Sequence, residues 1–121
     1  MGRRGERVLI VDEHLASRCV VAEALERRGY TCVAVKTVAE ALFQLVQFDP
    51  RVVVLEWAFR DGSGCGLARR LRTRKQQLVL VAVSYLDAPP DASEFDEYLV
   101  KPVPVEEIER AFRRHTARPH R

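Results

Sequence analysis

Three segments of this chain are apolar at every position over strand length: "VLIV" (Val8–Val11), "VVVL" (Val52–Leu55) and "LVLVAV" (Leu78–Val83). A strand with one face in water alternates apolar and polar residues. A run with no polar member is covered on both faces, the condition of a parallel sheet held between two layers of helices. With their flanks these runs read as strands over Arg7–Asp12, Arg51–Glu56 and Leu78–Ser84. "TCVAVK" (Thr31–Lys36) and "EYLV" (Glu97–Val100) read as two more.

Helical patterns fill the intervals. Leu15, Cys19, Ala22 and Leu25 follow helical spacing, and Gly29 is a stop signal. Thr37 and Glu40 have the spacing of a capping box, in which each side chain satisfies a free backbone donor; Val38, Ala41, Leu42 and Leu45 follow as an apolar stripe. Leu67 and Leu71 sit on a short basic helix. Val105, Ile108, Ala111 and Phe112 form the inner stripe of the last helix, opened by Pro104. Alternating strands and helices predict an α/β fold with helices on both faces of a parallel sheet and a site at the carboxyl ends of the strands.

Those ends carry the polar residues. Asp12 and Glu13 close the first strand, Glu56 the third and Ser84 the fourth, and Lys101 follows the fifth. A carboxylate at the mouth of a buried strand is costly to place, which makes Glu56 the residue to explain.

Length and composition agree with one domain. The chain has 121 residues, 47% hydrophobic and 31% charged, within the range of ordinary globular chains. We expect a single domain over 1–121, with a core of about 7–114 and a basic, frayed tail at 115–121. No apolar run approaches a membrane span, no export leader is visible, and no effector domain is expected. Three cysteines, Cys19, Cys32 and Cys65, without paired spacing argue against a disulfide framework or zinc site and for a reducing cytoplasm. Arg69, Arg70, Arg72, Arg74 and Lys75 cluster in one segment and Arg110, Arg113, Arg114, Arg118 and Arg121 near the C-terminus, while Asp87–Glu97 carries five acids and no base. Solvated helix faces are the plainer reading of the basic clusters. No aromatic residues interleave with them and no helix-turn-helix is visible, so nucleic acid is not the expected partner. His14, His115 and His120 read as surface residues.

Taken in order, "VLIVDE", "VVVLEWAFRDGSG", "VAVS" and "YLVKP" resemble the receiver domain of bacterial two-component response regulators, over Arg7 to Arg114. The resemblance implies a flavodoxin-like, doubly wound five-stranded parallel sheet of order 2-1-3-4-5. It implies a magnesium site at Asp12 and Glu13, with Glu56 as a third ligand, since that ion takes hard carboxylate oxygens. It implies phosphoryl-binding roles for Ser84 and Lys101, a cis peptide at Lys101–Pro102, and a switch aromatic at Tyr98. At the position of Glu56 the family has an aspartate that accepts the phosphoryl group.

Glutamate is longer by one methylene, about 1.5 Å, and misplacement of that order costs in-line attack dearly. It also carries a negative charge toward Lys101 and Ser84, imitating in part the charge of about −1.5 to −2 that a phosphoryl group brings. Arg60 stands where the family's loop has a proline, and Asp61, the nearest other acid, reads as a turn residue. Tyr85 follows Ser84 where the family prefers a small residue. Sixteen residues separate Ser84 from Lys101, with Pro89 and Pro90 among them, so the helix expected between the last two strands is short or missing.

The reading is thus an atypical, phosphorylation-independent receiver, not an enzyme. It is expected to bind a protein partner (a regulator, a kinase or an effector) or a second copy of itself, with no required cofactor and magnesium optional. A conventional phosphotransfer switch and a nucleic-acid-associated regulator using the basic helix and tail remain open as alternatives.

Overall fold

The computed structural model describes residues 5–57, 64–75, 77–86 and 94–116, with Gly64 and Cys65 described in backbone only. Five strands, β1 (Arg7–Val11), β2 (Thr31–Val35), β3 (Val52–Glu56), β4 (Val79–Ser84) and β5 (Glu97–Val100), form one parallel sheet in the order β2-β1-β3-β4-β5. Four helices accompany them among the described residues: α1 (Leu15–Glu26), α2 (Val38–Gln47), α3 (Gly64–Arg74) and α4 (Val105–Thr116).

Alternation along the apolar strands divides the core in two. Leu9, Val11, Val53, Leu55, Leu80 and Ala82 point to one face and meet Ala41 and Leu45 of α2 and Leu67 and Leu71 of α3. Val8, Ile10, Val52, Val54, Val81 and Val83 point to the other and meet Leu25 of α1 and Ile108, Ala111 and Phe112 of α4. β3 and β4 are buried at every residue, which is why they contain no polar position before Glu56 and Ser84. β5, at the sheet edge, is half-buried.

Local signals act as their chemistry requires. The Thr37 hydroxyl accepts from the Glu40 amide while the Glu40 carboxylate accepts from the Thr37 amide, so the capping box opens α2. Gly29, with φ 98°, turns the chain out of α1, and the Tyr30 amide donates back to the Leu25 carbonyl. The inner face of α1 differs from the expected stripe. Leu15 and Cys19 are exposed, Leu25 is buried, and Val21 and Ala22 lie half-buried against the core. The helix is rotated so that its N-terminal turn leaves the sheet, which spacing alone does not fix.

Asp49 takes φ 52°, a left-handed conformation that a short polar side chain tolerates. Arg7 Nε donates to its carbonyl and Lys75 Nζ to its carboxylate at 2.6 Å, which ties β1, the α2–β3 turn and the end of α3 together. No helix among the described residues is long and apolar enough to cross a membrane. Arg60, Asp61, Pro89, Pro90, Arg118, His120 and Arg121 lie outside the described residues, as do residues 87–93, where the shortened helix was expected.

Candidate functional site

The register of the sheet assembles the site. Val11 pairs with Leu55, so Asp12 emerges beside Glu56. Ser84 pairs with Val100, so Lys101 emerges one step beyond Ser84. The Lys101 amide donates to the Ser84 carbonyl at 2.7 Å, and the Lys101–Pro102 peptide is cis as expected. Four polar residues from four strands thereby converge at the carboxyl end of the sheet, next to the point where β1 and β3 send their helices to opposite faces.

Lys101 is the centre of the arrangement. Its Nζ lies 2.5 Å from Glu56 Oε1, 3.4 Å from Asp12 Oδ2 and 3.3 Å from Ser17 Oγ. Glu56 is 5% exposed and the Lys101 side chain 13%, so the pair is largely withdrawn from water. Burial by itself pulls the ammonium's pKa down. The hydrogen bond and charge of Glu56, with the charge of Asp12, more than offset this and hold it above the ordinary lysine value.

Asp12 is fixed by a second contact, as its Oδ1 accepts from the His14 amide at 2.9 Å. Ser84, fully enclosed, accepts at Oγ from the Leu86 amide. Tyr98 is half-buried against the core, and its hydroxyl reaches the Leu86 carbonyl. Tyr85, by contrast, is 74% exposed, and its ring centroid lies 5.4 Å from Lys101 Nζ.

Asp12, Glu56 and Lys101 are therefore brought into side-chain contact, while Ser84 is tied to Lys101 through its carbonyl and to Tyr98 through Leu86. The expected magnesium ligands are placed differently. Carboxylate oxygens suit that ion, yet among the described residues no three His, Cys, Asp or Glu side chains converge in a metal-holding arrangement. The Lys101 ammonium bridges Asp12 and Glu56, and Glu13 stands half-buried at the end of β1. With the Lys101 ammonium between Asp12 and Glu56, the three carboxylates Asp12, Glu13 and Glu56 do not form a ready-made cage for magnesium.

Sequence reasoning missed several residues. Trp57, directly after Glu56, packs edge-on against Phe95 with ring centroids 5.4 Å apart. His115, expected at the surface, is half-buried and lies 2.9 Å from Glu97 Oε2. Much of the charge in the two basic clusters is internally answered: Arg69 pairs with Glu94, Arg72 with Asp96 and Lys75 with Asp49 in the first, and Arg114 with Glu97 in the second. Such pairs join residues far apart in the chain and leave no local pattern to read.

A parallel sheet of this order, with an acid at the exit of β1, an acid ending β3, a hydroxyl ending β4 and a lysine after β5, defines a receiver. The chain belongs to the response regulator receiver domain family, whose model matches residues 8–113. It is 30% identical over 112 residues to the phosphate regulon transcriptional regulatory protein PhoB of Pseudomonas aeruginosa, covering 86% of this chain and 48% of that protein. The chain spans about half the length of the curated relatives it matches. A CheY-like receiver domain from Methylobacillus flagellatus superimposes with a TM-score of 0.81 at 28% identity, over 91% of this chain and 98% of that one. The response regulator TrrA, solved in complex with the histidine kinase ThkA, shares the fold with a TM-score of 0.80 at 23% identity, over 90% of this chain and 97% of that one.

Proposed function

We propose that this receiver works without phosphorylation, as a signalling module that binds a protein partner, with Glu56 standing at the phospho-acceptor position as a resident negative charge. The observation that carries the reading is the 2.5 Å contact between Lys101 Nζ and Glu56 Oε1 inside a buried site. A lysine that would meet an incoming phosphoryl group already holds an anion there, in surroundings that make a charge-assisted bond strong. The glutamate also displaces its carboxylate from where an aspartate's would start an in-line attack. Ser84 and Lys101 then serve as remnants of a phosphoryl pocket, and Tyr98 couples that pocket to β5 through Leu86.

The module is read as a single domain acting by contact rather than by catalysis, in the cytoplasm, with no cofactor required. Its relatives are named as transcriptional regulatory proteins, and TrrA is seen bound to a kinase. These support a regulator, kinase or effector as the partner. The ion pairs made by Arg69, Arg72 and Lys75 leave less free positive charge for nucleic acid.

Intact mass after incubation with acetyl phosphate and magnesium, beside a Glu56→Asp variant, tests this. Wild type is expected to stay unmodified while the variant gains one phosphoryl group. A phosphorylated wild type overturns the reading and restores an ordinary switch.

A further inference from the structure

Beside the Lys101 site, between α1 and the segment that runs from β5 into α4, lies a cavity of about 490 Å³. Its floor is the sheet itself, at Val54 and Val83, and its walls include Val21 of α1 and Ile108 of α4. Its polar lining residues are His14, Ser17, Tyr85 and Lys101; Ser17 Oγ lies 3.3 Å from Lys101 Nζ, and the exposed Tyr85 ring has its centroid 5.4 Å from the same ammonium. We propose that this cavity is a binding site for a flat, neutral, mainly apolar small molecule that carries one hydrogen-bond acceptor.

The size falls within the roughly 300–1,000 Å³ of small-molecule sites, which are mostly apolar with a few convergent polar groups. Val54 and Val83 line the cavity yet are 2% and 5% exposed, so its base is almost closed even to water.

The charges set the second requirement. The Lys101 ammonium points at Glu56, Asp12 and Ser17, so an incoming anion meets two carboxylates behind a cation that is already answered. A cation finds the ammonium and no carboxylate among the lining residues. A neutral acceptor meets neither penalty. The Ser17 hydroxyl, which accepts from Lys101, keeps its proton to donate to it. The exposed Tyr85 ring offers a stacking face for a flat ring.

Methyl NMR titration of the whole chain with coumarin tests this, with coumarin-3-carboxylate as the anionic isostere and no phosphodonor present, so that the outcome is independent of how Glu56 behaves. Coumarin is expected to shift the methyls of Val21, Val54, Val83 and Ile108 saturably, and to bind at least about tenfold tighter than the carboxylate. Val21→Phe fills part of the cavity and is expected to weaken binding by about tenfold. Should that variant fail to fold, Ser17→Ala serves instead, with an expected loss of about three- to tenfold, the worth of one hydrogen bond. Absence of saturable shifts at these methyls overturns the proposal. So do equal affinities for the two probes, or shifts confined to another exposed apolar patch such as Phe43 and Val46 of α2.

Discussion

The Tyr98 hydroxyl donates to the Leu86 carbonyl oxygen at 2.8 Å, and the Leu86 amide donates to Ser84 Oγ at 3.2 Å. One side chain on β5 thus holds the turn by which the chain leaves β4. Tyr98→Phe removes the tie and keeps the ring against the core. Because the bond lies at the surface, the expected loss of stability is about 0.5 kcal/mol. The sharper readout is hydrogen exchange: the Leu86 amide should exchange faster while Val81, deep in β4, is unchanged. Equal protection of Leu86 in both proteins would count against the coupling.

Lys101→Met keeps the aliphatic stem but leaves Glu56 and Asp12 buried beside each other without their cation. Removing one partner of a buried pair costs about 3–5 kcal/mol, read from urea denaturation. The Lys101→Met/Glu56→Gln double variant should recover roughly half of that, whereas strictly additive losses would mean that the two side chains are not coupled. The pH dependence has a definite direction. The folded-state pKa of Lys101 lies above the ordinary 10.5, so its contribution is complete below that value and is lost as pH rises through the folded one. Wild type should lose stability in that alkaline range by a component that the Met variant lacks.

Glu97 behaves in the opposite sense. Its hydrogen bond from Arg114 is the largest influence and, with His115, outweighs burial to hold the carboxyl below its ordinary 4.5. The stability it contributes is present above that value and is lost as pH falls through the folded one. Glu97→Gln should flatten this part of the acid limb. The difference should be no more than about 1 kcal/mol, because Arg114 is half exposed and solvent screens the pair. Urea midpoints compared between neutral and acidic pH decide the matter, and parallel curves for the two proteins would refute it.

At the other end of the sheet, Glu109 is buried and accepts from Tyr30 Oη at 2.9 Å, Arg28 at 2.9 Å and Arg113 at 3.1 Å. Glu109→Ala should cost about 2–3 kcal/mol by leaving the Tyr30 hydroxyl enclosed without an acceptor. Burial first, then the hydrogen bond and charge of Glu109, push the Tyr30 phenol well above its ordinary range. In Glu109→Gln, tyrosinate absorbance should therefore appear at lower pH than in wild type, and an unmoved titration would exclude the contact.

Much of the architecture could be read from unbroken apolar runs. β3 and β4 contain no polar residue until their last position, and that position is in each case part of the site. The Thr37–Glu40 box and the Gly29 stop are equally local and act where expected. What escaped reading is long-range. Glu109 looks like one more charge on a charged helix, and its burial follows from partners 79 and 81 residues away. His115 is drawn in by Glu97 on a neighbouring strand. The outward turn of Leu15 on α1 depends on how the helix seats on the sheet, which periodicity leaves undetermined. The site acids were visible as residue types at strand ends, but the bridge that Lys101 makes between Asp12 and Glu56 follows from side-chain geometry.

Trp57 is the chain's one tryptophan, and it sits next to Glu56 with its indole edge-on to Phe95, just ahead of β5. The protein thus carries its own optical gauge at the joint between the exit of β3 and the approach to β5. Movement of the Glu56 end of the site relative to the Tyr98 end alters the surroundings of a single fluorophore, so its emission follows that movement with no label attached and no second indole to dilute the signal.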